Sequence, residues 1–132
     1  MMRLLTRSRN QQLVEIYPVD MDLWRSATGS VAIVAPCGEL DISSSTALRR
    51  VLRQAAEGSR LVLLDLRDVT FLDSTVLGIC VNFVKRCGRS GVTFMLTNAS
   101  GVPLRAITLT GLSYLLPGDE RQRAQVALPS AV

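Results

Sequence analysis

The five residues Leu61 to Asp65 read LVLLD, and this run constrains the fold more than any other part of the chain. It is too uniformly apolar for a strand with one wet face, so it predicts the central strand of a sheet covered on both sides. The pattern around it alternates. Ser30 to Pro36 (SVAIVAP) is a short β-branched apolar run suited to a buried strand, and Gly38 then supplies a turn. From Ser43 onward, Ala47, Leu48, Val51, Leu52 and Ala55 fall on one side of a 3.6-residue period, while Arg49, Arg50 and Arg53 fall on the other. That predicts an amphipathic helix, with Ser43, Ser44 and Ser45 as candidate caps and Gly58 placed to end it.

Downstream, a second helix is expected from about Asp73 to Arg86, then a turn at Gly88-Arg89-Ser90-Gly91 and a β run from Val92 to Thr97. Pro103 sits where a first helical turn tolerates it, so Leu104 to Thr110 predicts a short helix closed by Gly111. Tyr114 to Leu116 reads as a final brief strand before a polar helix starting near Asp119. Upstream, Leu13, Val14 and Ile16 predict a short edge strand, and Pro18 to Gly29, with Asp20, Asp22 and the lone Trp24, reads as irregular. Trp24 either anchors a partner or folds onto the domain's own core, the latter being the commoner use of such a residue.

Strands alternating with helices across short connections imply parallel pairing with right-handed crossovers. The expected fold class is α/β: a single domain with a mostly parallel central sheet of about four to five strands and about four helices. The length of 132 residues fits one domain, and a hydrophobic fraction of 48% is enough to bury a core without staples and to exclude disorder. The domain is expected over residues 13–126, with a flexible tail over 1–12 and a fraying end over 127–132. The tail carries Arg3, Arg7 and Arg9, and its only apolar stretch, Leu4-Leu5, is too short for a signal peptide.

Composition removes several function classes. No uninterrupted apolar run approaches the ~18 to 20 residues of a membrane span. With no histidine in the chain, catalytic triads and His-based zinc sites cannot be built. The 15 basic residues against 11 acids give a net charge of +4, but the arginines are scattered and aromatics are only 5%, so no nucleic-acid partner is expected. Cys37, Cys80 and Cys87 form no CxxC pair and their number is odd, which fits a reducing cytoplasm. Cys80 and Cys87, seven apart on one helix, are read as small core residues. No metal site, cofactor or glycine-rich phosphate loop is found.

The segment Phe71-Leu72-Asp73-Ser74-Thr75-Val76-Leu77-Gly78 puts two hydroxyls and a carboxylate where a loop becomes a helix. A first helical turn presents unpaired amide hydrogens and the positive end of the dipole, so it can hold a phosphate or orient a hydroxyl about to receive one. The plainer use of Asp73 or Ser74 is to cap the helix. Along that helix Leu77, Cys80, Val81 and Val84 cover one arc, and Val76, Ile79 and Phe83 extend it beyond what packing on a sheet requires. The surplus suits either a protein interface or a neighbouring helix. Ser74 as a hydrolase nucleophile is disfavoured, because there is no histidine base and Lys85, the only lysine, projects from the other side of the helix.

Four motifs occur in order: Gly38-Glu39-Leu40-Asp41, Leu61-Val62-Leu63-Leu64-Asp65-Leu66, Phe71 to Gly78, and Leu109-Thr110-Gly111-Leu112. With them the chain resembles a STAS domain of the bacterial anti-sigma factor antagonist type, from about residue 13 to about residue 126. The resemblance implies a non-enzymatic, cytoplasmic partner switch, a monomer or weak dimer without membrane contact. Such a protein binds an anti-sigma factor that is also a serine kinase, frees a sigma factor, is switched off by phosphorylation and is restored by a serine phosphatase. By motif position the acceptor is Ser74, with Thr75 as fallback. The implied partner-binding residues are Asp41, Ser43, Asp73, Thr75, Val76, Ile79 and Phe83. This chain departs from the family pattern at Val76, where glycine or another small residue is usual. The alternative with the same fold is a non-phosphorylated interaction module of a lipid-transport or stress-sensing complex.

Overall fold

The computed structural model describes residues 11–17 and 21–127. The strands are β1 (Gln11–Tyr17), β2 (Met21–Ser26), β3 (Val31–Leu40), β4 (Leu61–Asp65), β5 (Asp68–Leu72) and β6 (Thr93–Thr97). The helices are α1 (Ser45–Ala56), α2 (Ser74–Arg89), α3 (Gly101–Leu109) and α4 (Gly118–Ala127), with single 3-10 turns at Ile42–Ser44 and Ser113–Leu115. The sheet runs β1-β2-β3-β4-β6, and β5 pairs with β3 off that path. The pairings β3·β4, β3·β5 and β4·β6 are parallel, and β1·β2 and β2·β3 are antiparallel. The α/β class and the mostly parallel sheet therefore hold, with six strands rather than the expected four to five.

The run Leu61 to Asp65 does lie between two neighbours, β3 and β6. Its two faces differ. Val62 and Leu64 join the main core with Leu23, Ala32, Val34, Phe94 and Leu96, under the apolar stripes of α1 and α2. Leu63, half-buried, packs with Trp24, Ile33 and Ala35 on the opposite face, in a cluster that includes no residue of a described helix. Both faces of the run are thus buried, and among the described residues the helices pack on one of them. A five-residue run cannot distinguish helix-covered from strand-flanked burial, since both exclude water.

Of the stretch expected to be irregular, Met21 to Ser26 is strand β2, and Trp24 is a strand residue at 3% exposure against Ile33 and Ala35. Buried Asp22 breaks the apolar run, which hid the strand from periodicity. Strand β5 was likewise missed, because Asp68 and Thr70 leave only Val69 and Leu72 buried in it. Gly38 makes no turn: at φ +85° it sits inside β3, and beside it β5 carries the extra residue, Thr70, so the register shifts between Gly38 and Glu39. Tyr114 to Leu116 forms no strand. Ser113–Leu115 is a 3-10 turn, held by Arg121, whose guanidinium donates to the carbonyls of Ser113, Tyr114 and Leu116 at 3.0 to 3.2 Å.

β1 begins at Gln11, inside the expected tail, and α4 reaches Ala127. The remaining tail expectations, for 1–10 and 128–132, lie outside the described residues. Arg25, on β2, ties the sheet to the end of α1: Nη2 donates to the Gln54 carbonyl at 2.8 Å, and Nη1 to the Ala55 carbonyl at 3.3 Å and to Ser59 Oγ at 3.1 Å. Those carbonyls are the ones a helix C-terminus leaves unpaired. Phe83 of α2 meets Phe94 of β6 edge to face, with centroids 4.8 Å apart.

Candidate functional site

β3 changes partner along its length. Val31 to Val34 pair with β4, and beyond the Ala35-Pro36 step Cys37 to Leu40 pair with β5. The exchange brings Leu40 opposite Leu72, and the Asp73 N–H donates to the Leu40 carbonyl at 3.2 Å. Asp41 and Asp73 consequently leave neighbouring strand ends, and each begins the turn into a helix.

Both carboxylates cap. Asp73 Oδ1 accepts the Val76 N–H at 3.0 Å at the start of α2. Asp41 Oδ1 accepts the Ser43 N–H at 2.9 Å and the Ser43 hydroxyl at 2.5 Å, at the 3-10 turn leading into α1. The serines expected to cap α1 do not: Ser44 is at the cap position without a side-chain bond, and Ser45 Oγ donates back to the Ile42 carbonyl at 2.7 Å. Asp41 takes the task because it alone precedes the turn with extended backbone. The Ser43 hydroxyl and then its amide hold the Asp41 carboxyl below its ordinary value, because both bonds favour the ionised form.

With Asp73 occupied as the cap, Ser74 is the first helical residue and is exposed, and Thr75 beside it is half-buried. Capping and an available hydroxyl are thus divided between two adjacent residues. The apolar surplus of α2 is used internally. Val76, Ile79 and Phe83 are 0%, 5% and 6% exposed, in one core with Leu48, Val51 and Leu52 of α1, so the neighbouring helix takes up this surplus. Val76 points into the core and does not crowd the surface at Ser74.

The exposed apolar side chains at this end are instead Ile42, at 71%, and Phe71, at 40%. Ile42 follows Asp41 directly, and Phe71 pairs with Glu39 on the strand that leads to Asp73. Reasoning from sequence passed over Ile42. The signal for it was an isolated apolar residue between a capping Asp and a run of serines, where no period required it to be buried. Glu39, Asp41 and Asp73 make this end acidic. Among the described residues no helix is long and apolar enough to cross a membrane, and no group of three or more Cys, Asp or Glu is placed to hold a metal ion.

A mixed sheet with its described helices packed on one face, and an exposed hydroxyl at a helix start next to a capping carboxylate, define a small α/β domain whose conspicuous feature is a surface rather than a cavity. The STAS domain model matches residues 26–123, and the chain belongs to that family. It is 34% identical over 79 residues to the anti-sigma-B factor antagonist of Bacillus subtilis (strain 168), covering 60% of this chain and 72% of that protein. Among solved structures it resembles the anti-sigma factor antagonist SpoIIAA in its unphosphorylated form, with TM-score 0.60 and 15% identity, covering 90% of this chain and 99% of that one. It also resembles an anti-sigma factor antagonist from Mycobacterium paratuberculosis, with TM-score 0.63 and 24% identity over 83% and 97% of the two chains. The phosphorylated form of the Bacillus cell fate determinant SpoIIAA matches with TM-score 0.55 and 16% identity, covering 88% and 98%.

Proposed function

We propose that this chain is an anti-sigma factor antagonist, a cytoplasmic, non-enzymatic protein that docks through the start of α2 and the turn after β3, and that phosphorylation of Ser74 ends the docking. The observation that carries the reading is the exposed Ser74 hydroxyl beside a carboxylate already committed to capping, with Asp41 on the adjoining strand end and Ile42 and Phe71 exposed around it. The partner is an anti-sigma factor with serine kinase activity, whose capture frees a sigma factor. A serine phosphatase restores the active form. The homologue's name and the existence of SpoIIAA in both unphosphorylated and phosphorylated forms support this chemistry. The working unit is the domain from β1 to α4, residues 11–127, with Ser43 and Thr75 at the margin of the docking surface.

A phosphoryl group on Ser74 would add about −1.5 to −2 charges. In the free protein, water and the positive end of the α2 dipole tolerate it. Against a docked partner the same group must be desolvated near Asp73 and Asp41, and like charges brought together at an interface cost several kcal/mol. Since ~1.4 kcal/mol is tenfold in affinity, a loss of about 100-fold follows without refolding. The test is to incubate the protein with the anti-sigma factor kinase and ATP, locate the phosphate by peptide mass spectrometry, and measure the affinity of Ser74→Ala and Ser74→Asp. Phosphate on Ser74 and a much weaker Asp variant are expected. Equal affinity of the two variants would end the proposal.

A further inference from the structure

The net positive charge of the chain is concentrated on two adjacent helices. α1 and α2 carry Arg49, Arg50, Arg53, Lys85, Arg86 and Arg89, six of the 15 basic residues, and none of the 11 acids. The remaining nine basic residues are outnumbered by the acids. All six cations are exposed. A solvated helix face would account for charges turned away from everything else, but three of these border a groove. Arg49, Arg53 and Arg86 line a hollow of about 200 Å³ between the two helices, whose floor is Leu52, Ile79 and Phe83. A second hollow of about 280 Å³ shares Arg53, Phe83 and Arg86 and continues past Cys87 to Ser90, with Glu57 as its single carboxylate.

We infer that the groove between α1 and α2 is a second docking surface, for an acidic amphipathic segment of a partner protein. A small organic anion fits less well, because the groove is open to solvent along its length, whereas ligand pockets bury most of their ligand's surface. A nucleic acid would want aromatic platforms, and Phe83, the aromatic residue here, is buried edge-on to Phe94. Carboxylates spaced along one side of a helix match guanidinium groups on both rims, and an apolar side chain between them meets the few per cent of Ile79 and Phe83 that α1 leaves uncovered. Along α2, Arg86 is about 18 Å beyond Ser74 at 1.5 Å per residue. The groove's nearest lining residue on α2, Ile79, is about 7.5 Å beyond Ser74, so the groove begins beside the surface proposed for the anti-sigma factor and runs away from it.

The test uses a fluorescein-labelled acidic amphipathic helical peptide with glutamates along one side and leucines along the other, and a scrambled peptide of the same composition. Anisotropy titration against the full chain is expected to give binding about tenfold tighter for the amphipathic peptide, weakening steeply with salt. The R49Q/R53Q/R86Q variant, all exposed positions, should lose about 30-fold, and Arg105→Gln on α3 nothing. Amide shift changes should fall on α1 and α2. Ser74→Asp should bind the peptide unchanged, which separates this surface from the phosphorylation reading. Equal binding of both peptides, binding that survives the triple variant or is lost with Ser74→Asp, or tighter capture of a single-stranded RNA or of phosphatidylglycerol vesicles would each overturn the inference. So would dimerisation of the chain through these arginines in sedimentation.

Discussion

Asp41 and Asp73 stand one residue beyond the paired Leu40 and Leu72, and each carboxylate caps the helical turn that begins there. Two helix starts are thereby held side by side at one end of the sheet, with Ser74 exposed between solvent and the second cap. This arrangement separates what stabilises the site from what is available to a partner, and the substitutions below divide along that line.

Asp73→Ala removes an N-cap bond and should cost about 1 kcal/mol, lowering Tm by about 4 °C in thermal unfolding. Asp73→Asn keeps a capping oxygen and should recover most of that loss. If the carboxylate mattered only for its charge, the two variants would melt together.

Val76 is a core residue despite its place two positions after Ser74. Val76→Gly loses a fully buried side chain in the first turn of α2, so chemical denaturation should show a loss of about 3 kcal/mol. Partner affinity measured well below the transition should change little.

Ile42→Ser and Phe71→Ser should behave in the opposite way. Their side chains are largely in water, so stability should stay within about 0.5 kcal/mol. Affinity for an anti-sigma factor, read by calorimetry, should fall about tenfold or more for each. Wild-type affinity in both would move the docking surface away from this end.

Arg25→Met keeps the apolar stem and deletes the guanidinium bonds to the end of α1. A loss of about 2 kcal/mol in urea unfolding is expected, with amide exchange fastest over the last turn of α1.

The thiols should separate by access and by pH. Half-buried Cys37 should react with a thiol reagent in the folded protein, while Cys80 and Cys87 wait for denaturant. Burial pushes the Cys80 thiol from 9.0 up to about 12 and raises that of Cys87, for which nearby Arg86 acts in the opposite sense. The folded state therefore keeps protons that the unfolded chain has lost, so this stability is complete below about pH 9 and declines as pH rises toward 12. Cys80→Ala should flatten that decline relative to wild type.

Local pattern carried much of the architecture. The stripes Leu48, Val51, Leu52 and Leu77, Cys80, Val84 specify helices within a few residues of their ends, because a 3.6-residue period is a property of the chain near each residue. The runs at Ala32 to Ala35 and Val62 to Leu64 do the same for strands, and Asp73 before Ser74 marks a helix start by its chemistry. Such features need no knowledge of what lies across the sheet.

Only tertiary structure decided the rest. Whether Ile79 and Phe83 meet a partner or α1, and whether Trp24 belongs to a loop or to a strand, depend on residues distant in sequence. The exchange of β3 from β4 to β5 at Pro36 sets Asp41 beside Asp73, and no local propensity encodes that pairing. Sequence by itself settles which faces must leave water. Which surfaces then cover them, and which side chains remain outside for another protein to meet, is decided by long-range packing, where loop-closure entropy and burial are balanced over the whole fold at once.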